Sequence, residues 1–254
     1  MNRRTFNQKF SKGLVSFAFF ETFITQDLFG QKIKPITLHW VKELDSMCRD
    51  LKTKQLSQVL WQQKVEELLQ KISLEDLLKW IDFERLARQM KYPDLGVTTG
   101  RVRFPRLAGV PAHTVFTKKV FGMTKGRAII PHGHNNMSSA HLILKGSFEV
   151  KHYDKVQENT REMIIKPSIH QISKAGAATS ISDEKDNVHW YKALSDKAYT
   201  FDIIMFNLNP AYSKPYDVSN IDPLAGKNIG KGLLQVPKLT VQQALKKYGK
   251  DAHH

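Results

Sequence analysis

The chain has 254 residues, of which 41% are hydrophobic and 10% aromatic, so it can form one large domain, or one domain with attachments, around an apolar core. The formal net charge is +15, but the lysines are spread over the whole chain without a nucleic-acid-binding motif, which favours a solvated surface over a nucleic-acid partner. A single cysteine, Cys48, excludes an internal disulfide framework and a cysteine-based zinc site, and we expect it to be a packed thiol.

The first 30 residues predict an export segment. Arg3 and Arg4 precede a phenylalanine and resemble the twin-arginine signal. The apolar stretch at 13–20 is too short to span a bilayer. The alternative is an amphipathic helix with a chance arginine pair. We therefore expect residues 1–30 to direct export, to the periplasm in a bacterium, with no transmembrane span in the mature protein; a cytoplasmic protein is the alternative.

Residues 31–95 show helical periodicity. Three stretches place apolar residues three and four positions apart, and the third begins with Ser73 followed by Asp76, a helix start of the capping-box type. These stripes indicate packing surfaces rather than a cofactor site. The residues expected to be buried there are Trp40, Leu44, Met47, Leu51, Leu56, Val59, Leu60, Val65, Leu68, Leu77, Trp80, Ile81 and Phe83.

The pattern changes at residues 92–96, where proline and glycine mark a break. Short apolar or alternating runs follow it. In one of them, Phe148, Val150 and His152 alternate with charged residues, a period of two. Many short, closely spaced strands predict an antiparallel barrel or sandwich, which we assign to residues 96–212.

Residues 213–254 contain many prolines, glycines and lysines and predict an extended basic tail with a helical stretch at 240–249. The tail includes the string GKNIGKG. A phosphate-binding Walker loop needs four residues between its glycines and a Ser or Thr after the lysine. Neither condition is met, so a basic turn is expected.

The stretch IIPHGHNNMSSAHLILKG contains His132 and His134 on either side of Gly133. On a strand, residues i and i+2 face the same side about 7 Å apart, so two imidazoles can converge on one ion. An isolated pair of this kind is more typical of solvent-exposed histidines than of a metal site. The surrounding strands, and a third histidine in another strand-like run, His189, favour a metal site.

This stretch resembles the first motif of the cupins, a glycine, His-x-His and a closing glycine, here Gly146. The glutamate common in that motif, seven residues before the glycine, is Ser139 here. The resemblance therefore implies a mainly β double-stranded β-helix, or jelly-roll barrel, whose metal site has three histidines and no glutamate: His132, His134 and His189.

A three-histidine site is typical of thiol dioxygenases. The segment DNVHWYKAL…YTFDIIMFNLNPAYS is similar to plant cysteine oxidases and animal cysteamine dioxygenase, and the resemblance covers residues 105–213. The residues at corresponding places are Asn187, His189, Asp202, Pro210 and Tyr212. Asn135 and Asn136 replace the Pro-Gly pair of these families, which leaves the substrate open.

The resemblance implies a mononuclear non-haem iron dioxygenase, with a small thiol or related molecule and dioxygen as its partners. Three neutral imidazoles leave an ion open coordination positions. Fe(II) is therefore expected first, although imidazoles also suit Zn, Ni, Mn and Cu. The alternative is a metal-binding cupin without turnover, which would be a sensor, a carrier or an assembly subunit. The sequence is compatible with a homo-oligomer as well as with a monomer.

Four further residues are candidates for this site. Asp202 interrupts an apolar run and needs a partner, either the imidazole N–H of a metal ligand or a neighbouring loop. Tyr191 shares the strand face of His189, where its phenol either approaches substrate or fills the barrel. Ser139 and His141 have the same parity and could contact substrate from the interior, although for His141 a core histidine with a local hydrogen bond is favoured. The histidines expected to be structural or exposed are His39, His113, His152 and His170.

Overall fold

The computed structural model describes residues 25–26, 32–33, 35–105, 110 and 113–250. Of the expected export segment, it describes only Thr25–Gln26 (β1), which pairs with Lys32–Ile33 (β2). Arg3 and Arg4 lie outside the described residues. No helix in the described part is long and apolar enough to cross a membrane.

Four helices follow, in agreement with the predicted helical region. They are α1 (Pro35–Lys52), α2 (Gln58–Lys71), α3 (Leu74–Trp80) and α4 (Phe83–Gln89). Ser73 caps α3 as predicted, because its side chain accepts a hydrogen bond from the Asp76 amide. The third helical stretch is two helices rather than one, because Asp82 takes a left-handed φ of 50° between them.

The predicted buried face of these helices is correct except in α2. Val59 is 42% exposed, whereas Trp61 and Leu69 are buried with Val65 and Leu68. The helix advances about 100° per residue, so Val59 lies on the far side from Trp61. Cys48 is fully buried, and burial raises the pKa of its thiol to about 12, as expected for a packed residue.

Twelve strands follow the helices. They are β3 (Thr98–Arg101), β4 (Thr117–Met123), β5 (Ala128–Asn135), β6 (Met137–Lys145), β7 (Ser147–Glu158), β8 (Glu162–Lys174), β9 (Ala178–Ile181), β10 (Val188–Ala193), β11 (Ala198–Phe206), β12 (Asp217–Ile221), β13 (Lys227–Asn228) and β14 (Leu234–Leu239). All their pairings are antiparallel.

The strands form two sheets in jelly-roll order. One sheet has the order β3-β4-β11-β6-β9 and the other β12-β5-β10-β7-β8-β14-β13, with a further pairing of β12 to β14. Neighbouring strands in each sheet are often distant in sequence. For example, β10 lies between β5 and β7. The predicted mainly β jelly-roll barrel with N-terminal helices is confirmed.

The five-stranded sheet is buried on both faces. Along β11, Tyr199, Phe201, Ile203 and Met205 pack in one apolar cluster with the four helices, whereas Ala198 belongs to the cluster inside the barrel. The alternation of side chains along a strand produces these two faces. The helices therefore cover the outer face of the sheet, and the inner face is left for the barrel interior.

The barrel extends beyond residue 212. Three strands of the seven-stranded sheet, β12, β13 and β14, come from the segment predicted as a tail. Of these, β12 pairs with β5 so that Asn220 is opposite His132. A last helix, α5 (Val241–Tyr248), packs Tyr248 against Trp190. The GKNIGKG string forms β13 and the turn into β14, consistent with a basic turn.

Candidate metal centre

The three histidines predicted as ligands lie together inside the barrel. His132 and His134 are on β5 and His189 on β10, directly opposite His132. The Nε2 atom of His189 is 3.1 Å from Nε2 of His132 and 3.5 Å from Nε2 of His134. The candidate ligand atoms of all three lie within 4.8 Å of one another.

A bulge in β5 sets the position of His132. Between the pairs Ile129–Tyr191 and His132–His189, β5 has two intervening residues and β10 has one. Pro131 is one of the two, and a bulge tolerates its missing N–H. The Nδ1 atom of His132 lies 2.7 Å from the Ile130 carbonyl. It must donate to that oxygen, so the Nε2 lone pair is directed at the other two rings.

Asn187 holds the backbone of His134. Its side-chain amide donates to the carbonyls of His134 and Ser182, at 2.9 and 3.0 Å, and its oxygen accepts from the His134 amide at 3.0 Å. A Cβ atom on Gly133 would lie 3.1 Å from that oxygen and 3.0 Å from Val188 Cγ2. Glycine at this position therefore permits the close approach of Asn187.

Polar residues outside the barrel wall support the same strand. Lys155 donates to the His134 carbonyl at 2.6 Å and forms an ion pair with Glu158. Glu158 also accepts from Ser219 on β12 and pairs with Lys238 on β14. These partners lower the pKa of Glu158 to about 2, in spite of its partial burial. The network ties β12 and β14 to the strands that surround the histidines.

All three imidazoles are neutral at pH 7. Burial lowers the pKa of His132, and burial together with the neighbouring histidines lowers the pKa of His134 and His189 well below 6.5. Neutral rings present lone pairs rather than charge. The three histidines can therefore act together as metal ligands and do not repel a cation.

The three nitrogens fit a bound metal ion. Ligands about 2.0–2.1 Å from one ion lie about 2.8–3.0 Å apart in octahedral geometry and about 3.3–3.4 Å apart in tetrahedral geometry, close to the observed 3.1 and 3.5 Å. With the proton of His132 on Nδ1, an Nε2–H group of His189 could donate to Nε2 of His132, but Nε2 of His134 would then lack a partner among the three rings. A cation accepts a lone pair from each of the three. Within the described residues no other His, Cys, Asp or Glu joins the group. Such a donor set suits Fe, Zn, Cu or Ni.

Asp202 contacts a histidine that is not in the triad. Its Oδ2 atom lies 3.1 Å from Nδ1 of His141, because the two residues are opposite each other on β11 and β6. The partner is thus neither a ligand imidazole nor a loop, the two alternatives that the sequence suggested. Burial raises the pKa of Asp202 to about 7 and lowers that of His141 to about 3.

Ser139 is 2% exposed, and its hydroxyl has no hydrogen-bond partner among the described residues. It precedes His141 by two residues on β6, and the alternation of the strand places both on the interior side. The position that carries glutamate in the common cupin motif is therefore inside the barrel but has no carboxylate to offer.

Tyr191 faces the interior next to His189, with ring centroids 5.6 Å apart. Its hydroxyl contacts the Thr179 hydroxyl and lies 3.3 Å from Nε2 of His152. His152, which the sequence placed with structural or exposed residues, is fully buried and opposite His189. The signal that would have found it is its alternation with Phe148 and Val150, which both belong to the interior apolar cluster.

The remaining histidines of the described residues are away from this centre. His39, His113 and His170 are exposed, as expected. The Nε2 atom of His170 lies 2.8 Å from the Glu149 carboxylate on the outer face of the barrel. His253 and His254 lie outside the described residues.

No protein-family model matches the chain, and no curated protein matches it. Several solved structures are similar to part of the chain. KdgF from Halomonas sp. is 16% identical with a TM-score of 0.33, over 46% of this chain and 84% of that one. An oxalate oxidase in complex with glycolate is 16% identical with a TM-score of 0.34, over 47% and 55%. Procruciferin, an 11S globulin from Brassica napus, is 9% identical with a TM-score of 0.34, over 51% and 28%.

Proposed function

We propose that the protein is a mononuclear non-haem iron oxygenase, a dioxygenase that acts on a small thiol or a related molecule. The observation that carries the proposal is the group of three neutral imidazoles, His132, His134 and His189, of which His134 and His189 are buried and His132 is half-buried, without a carboxylate among the described residues of that group. Fe(II) held there would supply redox chemistry and open positions for sulfur and dioxygen. The sequence resemblance to thiol dioxygenases adds support.

The residues around the centre would hold a substrate in a dry, partly polar chamber. Below the triad, an apolar cluster that includes Ile143, Phe148 and Val150 closes the barrel. Tyr191 stays protonated, because burial raises its pKa far above the usual value of 10. Its hydroxyl can donate one hydrogen bond to a bound molecule if it exchanges the contact with Thr179 or His152. Exclusion of water strengthens such polar contacts.

A metal-binding protein without turnover is the second candidate, and the contact between α2 and the barrel favours it. The side chains of Gln58, Gln62 and Glu66, four residues apart on one face of α2, meet the strands of the barrel. Gln58 accepts from Ser138 on β6. Gln62 accepts from Ser182, which follows β9, and Glu66 accepts from Ser180 on β9. Since β6 also carries His141, a change at the metal centre would reach the helices directly, as a sensor requires.

The test is metal content and oxygen uptake of protein isolated from its own host. We expect about one iron per chain and oxygen consumption that depends on an added small thiol. His189→Ala should lower metal content at least about tenfold, since a ligand is removed, whereas His170→Ala at an exposed histidine should not. Full occupancy in His189→Ala would refute the three-histidine centre. Bound metal without thiol-dependent uptake would favour the second candidate.

We also propose that the protein is exported through the twin-arginine route, which the pair Arg3 and Arg4 supports. The route reads the arginines themselves, so the double variant Arg3→Lys with Arg4→Lys should leave the protein in the cytoplasm although the charge is kept. Lys9→Gln removes one charge outside the pair and should be exported normally. Immunoblots of periplasmic and cytoplasmic fractions give the result, and normal export of the double variant would remove the proposal.

A further inference from the structure

A polar layer separates the histidine triad from the apolar floor of the barrel. In it the Tyr191 hydroxyl has two partners, Thr179 and His152. His141 has one, the Asp202 carboxylate on its Nδ1 side. Its Nε2 atom has none among the described residues, although the side chain is only 2% exposed. Buried polar atoms rarely stay without a partner, because losing water without compensation costs free energy.

The ring of His141 lies next to the metal centre. Its Nδ1 side faces Asp202 on β11, and the ring packs against His189 on the other sheet with centroids 4.9 Å apart and planes at 75°. It also lies 5.3 Å from the ring of Tyr191. His141 is not a member of the close group of candidate ligands in the described part of the chain. It is therefore placed to contact what the metal holds rather than the metal.

The pairing with Asp202 determines what His141 can offer. Above the pKa of Asp202, which is about 7, the carboxylate has no proton to give, so it accepts from the Nδ1–H group in a charge-assisted hydrogen bond. A neutral imidazole with its proton on Nδ1 has a lone pair on Nε2. A partner for this atom must therefore donate an N–H or O–H group.

We propose that His141, positioned by Asp202, accepts a hydrogen bond from the molecule bound at the metal centre, and that the centre selects small ligands with an N–H or O–H donor beside their metal-binding atom. The inference rests on the metal centre of the proposed function, but not on its thiol or dioxygen chemistry. It assigns His141 a binding role that a core histidine with a local hydrogen bond would not have.

The test compares two azoles on the Co(II)-substituted protein, whose visible spectrum reports ligand binding. Pyrazole and 1-methylpyrazole both bind a metal through one ring nitrogen, but only pyrazole has an N–H beside it. We expect the ratio of their dissociation constants to favour pyrazole about three- to tenfold more in the wild type than in His141→Phe, the effect of one hydrogen bond. Cobalt content should be unchanged, and His170→Phe should keep the wild-type ratio.

A second variant and a spectroscopic measurement guard against misfolding of His141→Phe. In Asp202→Asn the amide can donate to Nδ1 and move the proton of His141 to Nε2, so the preference for pyrazole should fall. In ¹⁵N-histidine spectra of Zn(II)-loaded wild type, Nε2 of His141 should be unprotonated, and its resonance should move with pyrazole but not with 1-methylpyrazole.

Equal ratios in the wild type and His141→Phe would overturn the inference and leave His141 a structural residue. A protonated Nε2, or no binding of either azole, would overturn it as well. A protein that consumes no oxygen with any thiol, yet shows the expected azole ratios, would refute the dioxygenase while supporting the role of His141.

Discussion

Gly133 has no side chain, and its position between His132 and His134 leaves space for Asn187 to hold the backbone of His134. It separates His132 from His134, and the space above it is taken by Asn187, which bonds both the amide and the carbonyl of His134. A Cβ atom there would meet atoms of Val188, Asn187 and Met163 at 3.0 to 3.2 Å. The alternation of a strand directs the two imidazoles, but the missing Cβ lets Asn187 hold the second one in place.

We predict that Gly133→Ala lowers metal affinity about tenfold and the free energy of unfolding by about 1–3 kcal/mol, as overpacking does in a close-packed interior. Competition with a chelator and urea unfolding measure the two quantities. Gly176→Ala is the control, because Gly176 has a φ of +90° and open space around it. It should cost stability through backbone strain and leave metal affinity unchanged. Unchanged affinity in Gly133→Ala would show that Asn187 does not position His134.

At the scale of elements, α2 joins the helical region to the barrel by polar as well as apolar contacts. One face presents Trp61 and Val65 to the apolar cluster. The adjacent positions include Gln62, which is 3% exposed and accepts from the fully buried Ser182 hydroxyl at 2.7 Å. A buried hydroxyl needs such a partner. The helix therefore satisfies polar groups of the sheet that a hydrophobic cover would leave unpaired.

Gln62→Ala should lower the free energy of unfolding by about 1–3 kcal/mol, because it removes the short hydrogen bond of the buried Ser182 hydroxyl and leaves only the Lys185 carbonyl at 3.5 Å. Gln63→Ala is the matched control one position away. Gln63 is exposed and contacts only Glu67 on the same helix in the described structure, so its loss should cost less than about 0.5 kcal/mol. Urea unfolding at pH 7 compares them, and equal effects would show that the polar contact contributes little.

In the molecule as a whole, the barrel interior holds five histidines in one buried group. They are His132, His134, His141, His152 and His189. Burial lowers the pKa of each, to about 3 for His141 and His152. In the unfolded chain a histidine titrates near pH 6.5. Below that pH the unfolded chain binds more protons than the folded one, so stability is greatest above pH 6.5 and falls towards pH 3.

The metal-free protein should therefore lose stability steeply between pH 7 and pH 5, and His152→Phe should lose about 2 kcal/mol less over that interval. Phenylalanine cannot bind a proton in the unfolded chain, which removes one contribution to the slope. His113→Gln, at an exposed histidine, should keep the wild-type slope. Urea unfolding at the two pH values gives the comparison; parallel curves for wild type and His152→Phe would contradict the burial effect.

The sequence alone predicted the elements with a local signal. Helical periodicity located α1 to α3, with the cap at Ser73, and the alternation of β7 together with closely spaced strands predicted the barrel. The His-x-His spacing and the strand around His189 identified the three candidate ligands, because i and i+2 on a strand must share a face. The resemblance to cupins supplied the jelly-roll order, which no local pattern contains.

Only the tertiary structure decided what depends on contacts between distant segments. The strands β12 and β14 are short and contain or adjoin proline, glycine and lysine, so no periodicity marks them, yet β12 lies beside His132. The partner of Asp202 depends on the register of β6 against β11. His152 lies next to the centre because it is opposite His189. Register and sheet closure arise from long-range packing, and a residue's own neighbours in sequence do not specify them.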